Sequence, residues 1–136
     1  MGSAGFRRPG EVNPRWATSL MGVPADEVRL NEAAAKDFDR LLEDPRPYAA
    51  SVVRRVRDLK PILLRDAVHG EVVRGRFMPS PLRRAYGLEN LFVEDLPSFW
   101  RLLYTIVRFE GRKVVVRLRI VDHATYDKWF PGRKRP

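Results

Sequence analysis

The chain has 136 residues, with 26 Lys and Arg against 17 Asp and Glu, a net charge of +9 and no cysteine. That length accommodates one domain with a modest core, and the lack of cysteine excludes disulfides, a thiolate nucleophile and zinc–thiolate sites. No apolar run approaches the ~20 residues that span a bilayer, and the start MGSAGFRRPG lacks the apolar centre of a signal peptide. A cytoplasmic protein with no membrane association is therefore expected. His69 and His123 are the only imidazoles, so a chemistry without metal or other cofactor is expected.

Residues 1–26 contain Pro9, Pro14 and Pro24 and show no periodicity, which predicts an extended or partly disordered arm ahead of a domain over residues 27–136. Within the arm, Asn13-Pro14-Arg15-Trp16 and Leu20-Met21-Gly22-Val23-Pro24 resemble a short stretch of some phage-type DNA methylases that carries no catalytic motif. Glu27 to Leu30 suits a short edge strand. Asn31 is a natural N-cap, and Ala34, Ala35, Phe38, Leu41 and Leu42 recur at helical spacing until Pro45. Pro47 then opens a second helix with the stripe Ala49, Val52, Val53, Val56 and Leu59, which Pro61 is expected to end. So short a link predicts an antiparallel helical hairpin.

Glu71 to Arg76 is expected as a strand, Leu82 to Tyr86 as a turn of helix among Pro79, Pro81 and Gly87, and Asn90 to Leu96 as the next strand. Phe99 to Val107 and Arg112 to Val121 complete a meander. The predicted class is α+β, with an N-terminal helical hairpin packed on one face of a twisted antiparallel sheet.

The basicity is local. Residues 97–136 hold ten Lys or Arg against three Asp or Glu, which is +7 of the total +9, and predict an acidic partner. The register of the last hairpin decides where those charges point. A three-residue loop, Phe109-Glu110-Gly111, sets Leu103 opposite Arg117 and Arg101 opposite Arg119. Trp100, Leu102, Tyr104 and Ile106 then form a core face with Val114, Val116, Leu118 and Ile120. Arg101, Lys113, Arg117 and Arg119 gather on the other face, beside His123 and Tyr126, as a concave surface suited to an anion. A two-residue Glu110-Gly111 turn would instead send Arg101 to the face opposite Arg117 and Arg119.

Trp100-Arg101-Leu102-Leu103-Tyr104 and His123-x-x-Tyr126-Asp127-Lys128, in this order and at this separation, resemble the RelE/ParE superfamily of toxins from type II toxin-antitoxin modules. The likeness covers roughly Val28 to Lys134. The HxxYD(K) ending is most like the HigB-type branch. The resemblance implies a RelE-like fold and an mRNA interferase, an endoribonuclease that enters the ribosomal A site and cuts messenger RNA through the 2′-hydroxyl beside the scissile phosphate. It also implies a cognate antitoxin, acidic where it docks, and no metal or other cofactor. By the same resemblance Arg101 steadies the phosphate's charge, Tyr126 stacks on or orients the nucleotide, and His123 is the general acid or base. Lys128 is a second candidate cation. Lys113, Arg117, Arg119, Arg133 and Lys134 are further RNA-binding candidates.

The chain departs from the RelE pattern where two lysines precede the conserved arginine. Phe92-Val93-Glu94-Asp95 supplies carboxylates there. Glu94 is a candidate base, as a carboxylate is in some relatives; equally, it marks a protein that no longer cuts. Each side chain also has an ordinary structural use: His123 as a cap, Tyr126 and Trp129 as core lids, Arg101 as a partner of Glu94 or Asp122, His69 as a loop residue. Two other functions compete: a ParE-like toxin that binds DNA gyrase without chemistry, and an inactive relative that binds only nucleic acid or its antitoxin.

Overall fold

Glu110 and Gly111 both take positive φ, 52° and 77°, and Phe109 pairs directly with Arg112. The hairpin therefore closes through a two-residue turn of the I′ kind, whose twist matches that of the strands it joins. The expected three-residue loop is not formed, and most of the consequences below follow from that one residue.

The computed structural model describes residues 22–131. In chain order they form β1 (Glu27–Leu30), α1 (Glu32–Glu43), α2 (Pro47–Arg65), β2 (Glu71–Val72), a 3₁₀ turn (Gly75–Phe77), α3 (Ser80–Tyr86), β3 (Phe92–Asp95), a second 3₁₀ turn (Pro97–Phe99), β4 (Arg101–Phe109), β5 (Arg112–Val121) and α4 (His123–Trp129). The class is α+β. No helix among the described residues is long and apolar enough to cross a membrane.

The five strands lie in the order β1-β5-β4-β3-β2. Neighbours from β2 to β5 run antiparallel, but β1 pairs with β5 in parallel, Val28 beside Val115. The sheet is mixed, not antiparallel as expected. A tight turn forces antiparallel neighbours, whereas β1 is separated from β5 by the helices and the rest of the sheet, so no turn constrains its direction.

The Asn31 side chain accepts the Ala34 N–H at 2.8 Å and starts α1 as its sequence predicts. α2 begins at Pro47 but runs on through Pro61 to Arg65, past the expected stop. Pro61 and Arg57, whose carbonyl loses its helical partner, both lie on the exposed side, where that carbonyl faces solvent and not the core. Continuing the helix buries Leu63 completely, and a fully buried leucine contributes roughly 1.5–3 kcal/mol, comparable with the ~3 kcal/mol cost of an internal proline.

Of the expected arm, residues 22–26 are described and are tied to the domain. The Ala25 N–H donates to the Leu64 carbonyl at 2.9 Å, and the Ala67 N–H to that of Val23 at 2.7 Å.

Helices cover both faces of the sheet, where one face was expected. On the first, Val52, Val56, Leu59 and Leu63 of α2 pack with Leu102, Tyr104, Val115 and Ile120. On the second, Met78, Leu82 of α3 and Tyr126 of α4 pack with Val93, Leu103, Leu118 and Val121. Val116 and Leu118, expected beside Leu102, thus lie on the opposite face, because a one-residue slip reverses every side chain of a strand.

β5 carries a bulge. Tyr104 faces Arg117, the next residue Leu103 faces Arg119, and Leu118 is the extra residue between them. Arg117 therefore shares the face of Tyr104, while Arg119 is returned to the face of Leu103 and Arg101. Arg117 is only 6% exposed, and its Nε donates to the Arg29 carbonyl at 3.3 Å. Burial lowers the pKa of its guanidinium. Since burial of a charge with weak compensation costs stability, Arg117→Met should leave the unfolding free energy unchanged or raise it by about 1 kcal/mol in urea denaturation; a loss beyond 2 kcal/mol, roughly, would mean the arginine is better satisfied than its geometry indicates.

Candidate active site

α4 organises the candidate site. Its N-cap is Asp122, not His123: the carboxylate accepts the Thr125 N–H at 2.9 Å. That bond, reinforced by the Thr125 side chain, holds the Asp122 carboxyl below its ordinary pKa. A depressed carboxyl stabilises the fold above its unfolded value and loses that contribution as pH falls through the folded one. Asp122→Ala should cost about 1 kcal/mol at neutral pH, and the gap from wild type should narrow as pH falls below the ordinary carboxylate range and the folded wild type also loses the charge. Denaturation at neutral pH and across that acid range checks this.

Helical spacing then turns Tyr126, Trp129 and Phe130 towards the sheet. The guanidinium of Arg101 lies 5.0 Å from the centre of the Tyr126 ring, and that of Arg119 lies 5.3 Å from the ring of Trp129. Tyr126 also stacks on Phe130 at 4.6 Å.

Arg101 is enclosed. Its Nη1 donates to the Trp100 carbonyl at 3.1 Å. Its Nε sits 3.1 Å from the Asp95 carboxylate but is not aligned for a hydrogen bond, so the contact is electrostatic. Arg101 is 8% exposed and Tyr126 only 2%. The tyrosine ring is buried, with the Arg101 guanidinium over it and Phe130 stacked on it.

His123 stands at the open end of α4. Its Nε2 lies 3.0 Å from the Asp127 carboxylate one turn on, and both side chains are more than half exposed. The ring of Phe99 is 5.8 Å away, inclined at 55°. Lys128 follows on the same helix and is exposed. The structure thus brings Arg101, Tyr126 and His123 onto one short helix and the strand end beneath it, as a partly buried site and not as the concave solvent-facing surface expected.

The other expected residues are elsewhere or engaged. Arg119 makes a two-pronged bond to Asp37 of α1, Nε to Oδ2 at 2.7 Å and Nη2 to Oδ1 at 3.1 Å, which raises its pKa further. It lines a cleft of about 340 Å³ with Asp37, Trp100, Asp122 and Thr125, yet its charge there is already matched. Arg117 is buried on the far face. Lys113 pairs with Arg108 near the hairpin tip, roughly 26 Å along the strand from Val121 at 3.3 Å per residue. Arg133 and Lys134 lie outside the described residues, as do residues 1–21, which hold all of the methylase-like stretch but Gly22, Val23 and Pro24.

Glu94 does not face Arg101. It pairs in register with Leu102 while Asp95 pairs with Arg101, so the two carboxylates point to opposite faces and Glu94 cannot serve as base at this site. Instead Glu94, 6% exposed, binds His69 Nδ1 at 2.6 Å. The turn that carries His69 is held beside it: the Tyr104 hydroxyl donates to the Ala67 carbonyl at 2.8 Å and accepts from the Gly70 N–H at 3.0 Å. A side chain at Gly70 would meet the Val93 carbonyl at 2.8 Å, so glycine is required.

Three participants were not foreseen as such. Asp127 was legible as the i+4 neighbour of His123. Asp37 was signalled by a carboxylate lying between Ala34 and Leu41 on the apolar stripe of α1. Phe99 gave no signal, because its importance lies in its backbone angles. No protein-family model, curated protein or solved structure matches this chain.

Proposed function

We propose that the chain is a RelE-like toxin of a type II toxin-antitoxin module, a cytoplasmic endoribonuclease that cleaves messenger RNA on the ribosome and is restrained by an acidic antitoxin. The observation that carries this reading is the exposed imidazole of His123, oriented by Asp127, on a helix whose underside grips Arg101. In such a reaction the 2′-oxygen attacks phosphorus, its proton passes to a base, and the 5′-oxygen leaves and is protonated. With Nε2 turned to Asp127, Nδ1 of His123 is the atom free to exchange those protons. Arg101, fixed by Tyr126 in surroundings from which water is largely excluded, provides a positive field for the phosphorane charge. Substrate positioning falls mainly to the ribosome, because these residues offer few groups to hold the 2′-hydroxyl themselves.

A second reading is favoured by the burial of Arg101 and Tyr126 and by the turning of Glu94 away from them: a relative that binds its antitoxin or nucleic acid without cutting. Primer extension on ribosome-bound message separates the two. New 5′ ends within A-site codons, absent from free RNA, are expected for the nuclease. Growth arrest with intact message points to a protein target such as gyrase, and no arrest with intact message points to the binding relative.

A further inference from the structure

We infer that Phe99 is a stacking platform for a nucleobase of the bound RNA, next to the scissile phosphate. The inference rests on the ribonuclease reading and adds a substrate-positioning residue to it.

The β3–β4 connection is short and closed on itself. The Leu96 N–H donates to the Trp100 carbonyl at 2.9 Å, and the Trp100 N–H to the Pro97 carbonyl at 3.3 Å. Within it Ser98 and Phe99 take φ of 59° and 63°, two successive residues in the left-handed region that L side chains rarely adopt. A glycine would relieve either position, and neither is glycine. Strain of this kind persists where the surrounding structure imposes it, and it gathers at ligand-binding positions.

What the strained turn achieves is a division of two neighbouring aromatics. Trp100 turns inward and stacks on Tyr48 of α2 at 5.8 Å, which anchors the loop. Phe99 turns outward and is 69% exposed. It belongs to neither apolar cluster, so the core does not account for its position. Its neighbour is instead the imidazole of His123, 5.8 Å away.

A planar base is the ligand that matches a lone exposed ring beside a proton-transfer group. Every base has a π-face, and proteins that hold single-stranded RNA stack its splayed bases on such rings. A protein partner would ask for a contiguous apolar patch. The other exposed large apolar side chains among the described residues sit on different elements: Leu42 on α1, Val68 after α2, Val72 on β2, Tyr86 on α3, Val107 and Phe109 at the hairpin tip.

The test uses ribosomes stalled on a message with 5-iodouracil in the A-site codon. Irradiation with wild-type protein should cross-link Phe99, and Phe99→Leu, which keeps an apolar side chain without the ring, should slow single-turnover cleavage about tenfold or more. Phe99→Trp and Phe99→Tyr should stay within about threefold of wild type, since each restores a stacking face. Because the side chain is exposed, these variants should fold alike, with thermal melting as the check. Cleavage by Phe99→Leu at the wild-type rate would overturn the inference and leave the nuclease standing. Wild-type protein that neither cleaves nor cross-links would remove the nuclease reading, and this inference with it. If Phe99→Leu cuts normally but loses its antitoxin, the ring is a protein-docking residue and the inference is wrong.

Discussion

His123→Ala should slow cleavage of ribosome-bound message about a hundredfold or more, the scale on which enzymes lose a positioned acid or base. The side chain is 58% exposed, so the change leaves no cavity and the variant should melt with the wild type. That separation of activity from stability is what makes the experiment decisive. Arg101→Ala should reduce cleavage by a similar factor, as preorganised charge stabilisers do when removed. It should also destabilise the fold, because the guanidinium fills the space under Tyr126. Arg101→Lys distinguishes the two effects: it restores charge but not the planar group that Tyr126 holds. Single-turnover primer extension alongside thermal melting reads both. If His123→Ala cuts as fast as wild type, His123 is not the proton-transfer group and the proposed mechanism fails.

The largest effect on stability is expected away from His123, at Asp37. This carboxylate is 6% exposed and accepts four hydrogen bonds: two from Arg119, one from Arg40 at 3.0 Å and one from the Ile120 N–H at 2.9 Å. β1 ends at Leu30, opposite Arg117, so past that point α1 takes over the flank of β5 and Asp37 satisfies a backbone group that no strand reaches. Asp37→Ala strands both the Ile120 N–H and the Arg119 charge. Removing one partner of a buried pair costs about 3–5 kcal/mol; with Arg119 28% exposed, about 3 kcal/mol is expected. Asp37→Asn, which can still accept the Ile120 N–H, should lose less than half of that. Urea denaturation of the two variants tests the claim, and a loss under 1 kcal/mol, roughly, for alanine would show that water replaces the carboxylate.

The comparison of sequence and structure turns on how local each signal is. α1 was legible because its cap, its stripe and its stop all lie within fifteen residues or so of one another, and β5 was found from Arg112 to Val121 as observed. The hairpin register was expected from a three-residue loop and is set by a two-residue one, because Gly111 satisfies both turns and the choice depends on which face the rest of the chain covers. The site suffered accordingly: Arg117 was assigned to the surface and lies in the interior, whereas Arg101 meets Tyr126 on the helix that His123 opens. Pro61 reads locally as a stop and is outweighed by Leu63 further along. The parallel pairing of β1 and the tie between Glu94 and His69 join residues far apart in the chain, and no spacing in the sequence encodes either.

The extra residue at Leu118 works as a phase shifter for everything after it. Pleated chain alternates its facing with each residue, so a strand one residue shorter would deliver Val121 and the start of α4 to the side already occupied by α1 and α2. With Leu118 inserted, the chain leaves the sheet half a period later, and α4 settles over Arg101. The seating of Tyr126 on the Arg101 guanidinium is therefore decided by a parity, whether the number of residues between the hairpin turn and Asp122 is odd or even, more than by the identity of any side chain along the way. Changes of length in this stretch act on the site in a way that no substitution there can imitate.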